Sequence, residues 1–171
     1  EDLMIAIDYV KDNFFMLEQR EDNGSIERIL EMALDVVKKR GVKILVIDPF
    51  NMIDKDSRFD NMSSIAHILK SLINFAKKND VLVFLVAHPT KPSETFGKST
   101  PMPSLYSISG SADFKNMTYY GLVFHRTKGD ALNLDYDINT CKVEKIKYRH
   151  LGKEGQVAFA FNTKNSRFIE L

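Results

Sequence analysis

Cysteine is almost missing from this chain. Cys141 is the one thiol among 171 residues, which excludes an internal disulfide and any metal site built on clustered cysteines. A reducing, cytoplasmic setting is the expectation. No apolar run approaches the ~20 residues of a membrane helix. A secretory signal is not expected either, since Glu1-Asp2 is the wrong start for one. The first residue is not Met and Asp2–Lys11 already has a helical pattern, so the chain reads as a piece of a longer protein. There is no internal repeat and no low-complexity segment. The G-x-S-x-G elbow of an α/β hydrolase is lacking, since Ser109-Gly110-Ser111 does not provide it. His67, His88, His125 and His150 are too scattered along the chain for a metal triad.

An excess of one charge is also lacking: 24 Lys and Arg stand against 23 Asp and Glu, a net charge of +1. The spread is uneven. Residues 1–87 carry −3, 88–128 carry +3, 129–138 carry three acids and no base, and 139–171 carry +4. The basic surface therefore belongs to the second half, although ordinary solvated charge produces the same skew. With 44% hydrophobic and 27% charged residues, the composition is that of a globular domain large enough to bury a core.

The last absence is a phosphate-binding loop. Gly97-Lys98-Ser99-Thr100 resembles the end of one, but that loop requires GxxxxGK[ST] between a strand and a helix. Pro92 stands where the first glycine belongs. The preceding apolar run stops at His88, and Pro101 and Pro103 prevent a following helix from offering its N-terminus to a phosphate.

What is present is a pair of strand-like runs, Lys43–Phe50 (KILVIDPF) and Val81–His88 (VLVFLVAH). Their apolar stretches stop at Asp48 and His88. The segment between them, Asn61 to Lys78, has helical spacing, with Ile65, Leu69, Leu72, Ile73 and Ala76 on one side. A second helix runs from the N-cap Ser25 to Arg40 and is stopped by Gly41. Leu3–Val10 reads as a short helix and Asn13–Glu18 (NFFMLE) as a strand. Strand, helix, strand, helix, strand implies a parallel sheet, and runs that hardly alternate imply strands buried on both faces. Asp48 and His88 are then expected at the carboxyl edge, where open α/β sheets bind ligands. An aspartate there commonly orders metal-bound water beside a nucleoside triphosphate.

Pro89 to Ser109 breaks the rhythm with four prolines; a loop of about twenty residues in a compact domain is often functional. Phe96 and Tyr106 are its only candidates for base stacking. Ser111–Met117 has room for one or two helical turns, and Tyr119–His125 reads as a strand. Thr140–Tyr148, Gln156–Phe161 and Arg167–Glu170 read as short antiparallel strands.

Four blocks in order resemble the RecA-like motor domain of hexameric replicative DNA helicases, nearest to phage primase-helicases and Twinkle and then to the DnaB type. ILVIDPFNMI is similar to the Walker B strand, LVAHPTKP to the sensor strand, SISGSADFKNMTYYGLVFHR to a Gly-Ser turn, helix and strand ending near Arg, and KIKYRHLGKEGQ to the strand with a Lys-x-Arg pair. The resemblance covers roughly residues 10–171. It implies an α/β fold, a RecA-like P-loop NTPase core with a parallel sheet flanked by helices and antiparallel strands at the C-terminal end. It also implies one partial motor domain over 1–171, with a parallel part at 1–128 and a β-hairpin part at 129–171.

The resemblance further implies ATP and Mg²⁺ as cofactors, single-stranded DNA and a ring of subunits as partners, and a possible upstream primase. Asp48 would hold the Mg²⁺ water, with Asn51 where relatives often have Gln. His88 would sense the γ-phosphate. Arg149, with Lys147, would reach a neighbouring subunit's nucleotide, where an arginine's planar, permanently charged fork suits phosphate oxygens. Arg126 would also reach phosphate. Lys91 and Lys98 would hold the DNA backbone. The family's Walker A loop, its catalytic glutamate and its central strand are expected N-terminal to this chain, so the chain alone should be inactive and should close the gap, expose a sheet edge or self-associate.

Each residue also has a plainer reading. Asp48 is equally a carboxylate capping a turn with Asn51, His88 a hydrogen-bonded histidine before Pro89, and Lys145, Lys147 and Arg149 one exposed side of a strand. The lysines of the long loop are equally solvated charge. A degenerate RecA-like module that binds DNA or a partner without hydrolysis is the alternative function.

Overall fold

The computed structural model describes residues 2–18, 24–55, 58, 60–90, 102–108, 111–128, 136–162 and 164–171. The chain forms two compact units, Glu1–Ala87 and His88–Leu171.

In the first unit, helix α1 (Asp2–Asn13) has no buried residue. The strand expected over Asn13–Glu18 is not formed: residues 14–18 are exposed and carry no strand pairing. Helix-end bonds take its first groups instead, since the Asn13 side chain donates to the Tyr9 carbonyl at 2.8 Å and the Phe14 N–H to the Val10 carbonyl at 2.9 Å. A strand requires a partner for its backbone groups, and none is at hand for this segment among the described residues.

Helix α2 (Ile26–Arg40) begins and ends where the sequence expects. Ser25 accepts from the Arg28 N–H, and Gly41, at φ 68°, donates its N–H to the Val37 carbonyl. Only a residue tolerant of the left-handed region closes a helix this way without strain. Helix α3 (Asn61–Asn79) carries most of the core: Ile65, Ile68, Leu69, Leu72 and Phe75 are buried on one side, and burying each such side chain stabilises the unit by roughly 1.5–3 kcal/mol. Asp60 caps its start by accepting from the Ser63 N–H at 2.7 Å.

Strands β1 (Ile44–Ile47) and β2 (Leu82–Leu85) pair in parallel, with Ile44 opposite Leu82 and Ile47 opposite Leu85. Both are shorter than the apolar runs that contain them. They are not buried on both faces, as the sequence suggested. Leu45 and Ile47 are buried, while Ile44, Val46, Leu82 and Phe84 are 42–59% exposed. Helix packing covers one face, and among the described residues neither strand has a second neighbour.

The second unit is an antiparallel sheet of four strands in sequential order: β3 (Tyr120–Thr127), β4 (Ile138–Ile146), β5 (Gly155–Asn162) and β6 (Arg167–Glu170). The sequence grouped β3 with the parallel part. Its backbone bonds instead go to β4, from Tyr120 opposite Ile146 to Thr127 opposite Ile138, with an irregularity between Gly121 and Leu122. β3 thus belongs with the compact unit that begins at His88. The short helix α4 (Ser111–Met117) and a 3₁₀ turn (Leu105–Ser107) complete the unit. Gly121 admits Leu105 so closely that an added Cβ would stand 2.3 Å from Leu105 Cδ1.

Candidate functional site

Asp48 directly follows β1. The backbone on either side of it is fixed by Val86, the residue just after β2: the Val86 N–H donates to the Ile47 carbonyl at 2.9 Å, and the Phe50 N–H to the Val86 carbonyl at 2.7 Å. The Asp48–Pro49 peptide is cis. Phe50, 5% exposed, anchors the following 3₁₀ turn (Phe50–Met52). Asn51 lies on that turn, and both Asp48 and Asn51 are exposed. A few residues on, Asp54 and Gly24 bond reciprocally, Asp54 N–H to the Gly24 carbonyl at 3.0 Å and Gly24 N–H to Asp54 Oδ2 at 2.6 Å. This ties the end of the β1 loop to the start of α2. The sheet's carboxyl edge thus presents one carboxylate and one amide oxygen on a braced turn. Both offer hard oxygen donors of the kind Mg²⁺ takes, an ion that keeps several waters in its shell.

His88 is exposed and opens the second unit. Lys91 and Lys98 lie outside the described residues. Immediately before Lys91, the Thr90 N–H and Oγ1 both donate to the Ser107 carbonyl, at 2.7 and 2.8 Å.

In the second unit Lys147 and Arg149 both lie in the connection between β4 and β5. The sequence expected Lys145, Lys147 and Arg149 to share one strand face. The strand instead ends at Ile146, and the three part company. Lys145 Nζ donates to the Lys115 and Asn116 carbonyls at the end of α4, a cation at the negative end of a helix. Burial, with Lys147 and Lys115 nearby, lowers its pKa. Lys147 donates its N–H to the Tyr119 carbonyl at 2.9 Å, and its ammonium lies 4.1 Å from the Tyr119 ring centroid, a cation–π contact. Arg149 begins a 3₁₀ turn (Arg149–Leu151) and is exposed.

Arg126 stands near the end of β3, opposite Asn139. Its guanidinium is engaged by Asp137, with Nε to Oδ2 at 2.6 Å and a closer contact from Nη2. It borders an open groove of about 360 Å³ lined by Phe124, Asn139, Cys141, Phe159 and Phe168 among others. Phe124 is 71% exposed and Phe168 60%. The Asn139 amide nitrogen is buried without a hydrogen-bond partner. Sequence reading sought aromatic stacking surfaces only in the long loop and missed this one. The signal was the alternation of Phe124 with Arg126 and of Phe159 with Phe161, which puts each pair on one sheet face.

No family profile matches the chain. It is 28% identical over 157 residues to the Twinkle homolog protein, chloroplastic/mitochondrial, of Arabidopsis thaliana, an alignment covering 90% of this chain and 22% of that protein. A solved DnaB-like replicative helicase, determined with its interactions with primase, superposes over 99% of this chain and 41% of its own, with a TM-score of 0.77 at 19% identity. The chain thus spans well under half of either relative. The fold is that of the matched DnaB-like helicase structure, the fold class that the sequence blocks implied.

Proposed function

From a helicase-like RecA fold and sequence similarity to a Twinkle homolog over nearly the same span, we infer that this chain is part of the ATP-driven motor of a ring-forming replicative DNA helicase. The observation that carries the reading is the coincidence of the two likenesses: 90% of the chain aligns with one relative and 99% superposes on the other. A primase, attached or separate, is the natural partner of such a motor. Single-stranded DNA is its track.

Mg²⁺, when bound with ATP, draws charge from the phosphate oxygens during transfer. In this reading Asp48 holds a water of that ion, and Asn51 orients the water network beside it. The bonds between Val86 and both Ile47 and Phe50 keep the Asp48 carboxylate at a fixed height on the sheet edge. His88 donates to the γ-phosphate. Arg149 extends from its turn into the nucleotide site of an adjacent subunit, with Lys147 behind it. Arg126 is a second phosphate contact. Lys91 and Lys98 hold the DNA backbone by charge alone, without reading sequence. In this reading the chain by itself does not hydrolyse ATP, because no GxxxxGK[ST] loop stands among its 171 residues.

The test is single-stranded-DNA-stimulated ATPase of the full-length protein, wild type against Arg149→Ala, with the two mixed. An arginine reaching across subunits is worth ~10³–10⁵ in rate. The expected result is a dead variant that also poisons wild-type subunits in mixed rings. Full activity in Arg149→Ala overturns the role of Arg149, and a full-length protein without ATPase overturns the motor.

A further inference from the structure

Glu144 is the one carboxylate of β4, and nothing in the reading above uses it. Its side chain is only 8% exposed. Oε1 accepts from the Leu105 N–H at 3.2 Å and lies 3.8 Å from Lys115 Nζ. Oε2 has no hydrogen bond and lies 3.7 Å from Lys142 Nζ. One buried carboxylate therefore touches three elements: its own strand, the 3₁₀ turn at Leu105 and helix α4. A buried acceptor left unsatisfied costs stability, and an apolar residue would fill the place without that cost.

The residues at and just past the end of β4 extend the same tie. Lys145 caps the carbonyls of α4, and the Lys147 N–H takes the Tyr119 carbonyl just beyond that helix. Glu144, Lys145 and Lys147, at and just past the end of β4, are thus all bound to the segment 105–119, immediately before Arg149.

We propose that Glu144 is a positioning residue for Lys147 and Arg149: by holding the end of β4 to α4 and to the Leu105 turn, it fixes where the strand stops and from where the arginine projects. The proposal rests on the interfacial role given to Arg149 above. Gln in place of Glu keeps an acceptor for the Leu105 N–H but loses the charge that draws in Lys115 and Lys142. Asp keeps the charge but withdraws it by one methylene.

Two measurements test this. In the full-length protein, Glu144→Gln is expected to lower kcat about 10–100-fold, the scale of a misplaced catalytic group, at unchanged KM for ATP, with partial recovery in Glu144→Asp. In this chain, the amides of residues 147–151 are expected to exchange faster with deuterium in Glu144→Gln while those of α3 do not change. A folded Glu144→Gln protein with wild-type kcat and wild-type exchange at 147–151 overturns the proposal. So does a loss of thermal stability alone, with kcat per folded ring unchanged. If Glu144→Gln does not fold, the same two readings on Glu144→Asp decide. If Arg149→Ala leaves turnover intact, the role of Arg149 fails by itself, and amide exchange still reports whether Glu144 holds the segment.

Discussion

Replacing Gly121 by Ala puts a methyl group where Leu105 already is. The new Cβ would stand 2.3 Å from Leu105 Cδ1, 3.1 Å from Cδ2 and 3.2 Å from Cγ. Carbon atoms rest at about 3.5–4.0 Å, so the leucine must withdraw by roughly 1.2 Å or more. It has little room for this, being 7% exposed, and its backbone N–H is bonded to Glu144. Overpacking of this kind costs about 1–3 kcal/mol. Leu105→Ala alone leaves a cavity and costs about 2–5 kcal/mol. In the double variant the clash disappears and the alanine methyl enters part of the vacated space. The two changes should therefore compensate, with a coupling of about 1–3 kcal/mol. The assay is urea unfolding of the four proteins of the cycle, followed by circular dichroism and by amide exchange of β3. Additive costs within about 0.5 kcal/mol would refute the close packing of this glycine on this leucine.

Three further outcomes are expected. Glu27 accepts from His67 at 2.7 Å, and that hydrogen bond is the main cause of a Glu27 pKa below its ordinary 4.5. A lowered carboxyl pKa stabilises the fold above the unfolded value and ceases to do so as pH falls through the folded one. The difference in urea midpoint between wild type and Glu27→Gln should be present at neutral pH and vanish as the pH falls below the lowered Glu27 pKa; a constant difference contradicts the bond. Ser25→Ala removes the α2 cap and should cost about 1 kcal/mol, read as an earlier thermal transition, with Ser25→Gly losing less. Ile65→Ala, at a fully buried position, should cost about 2–5 kcal/mol, and an unchanged urea midpoint would remove α3 from the centre of the core.

Features set by neighbours in sequence were legible from the start. Ser25, Gly41 and the boundaries of α2 and α3 follow from caps and periodicity, which act within a few residues. The parallel pairing of β1 with β2 followed from one helix lying between two apolar runs. The NFFMLE segment failed because apolar composition cannot supply a strand partner. The end of β4 was misjudged because Lys145 is drawn off by carbonyls thirty residues earlier in the chain. The aromatic groove was missed because its walls come from separate strands, assembled only by register. Glu144 gave no sequence signal; its burial is a product of three elements meeting.

Arg126 and Asp137 carry one more consequence. An arginine already neutralised by its own carboxylate is not an open positive charge, so an arriving phosphate must compete for it. Added salt weakens phosphate contacts, but it also weakens the pair that occupies the guanidinium. The two effects oppose each other. Any anion that binds at this position should therefore show a flatter dependence on ionic strength than one held by an unengaged arginine, and Asp137→Asn should steepen it.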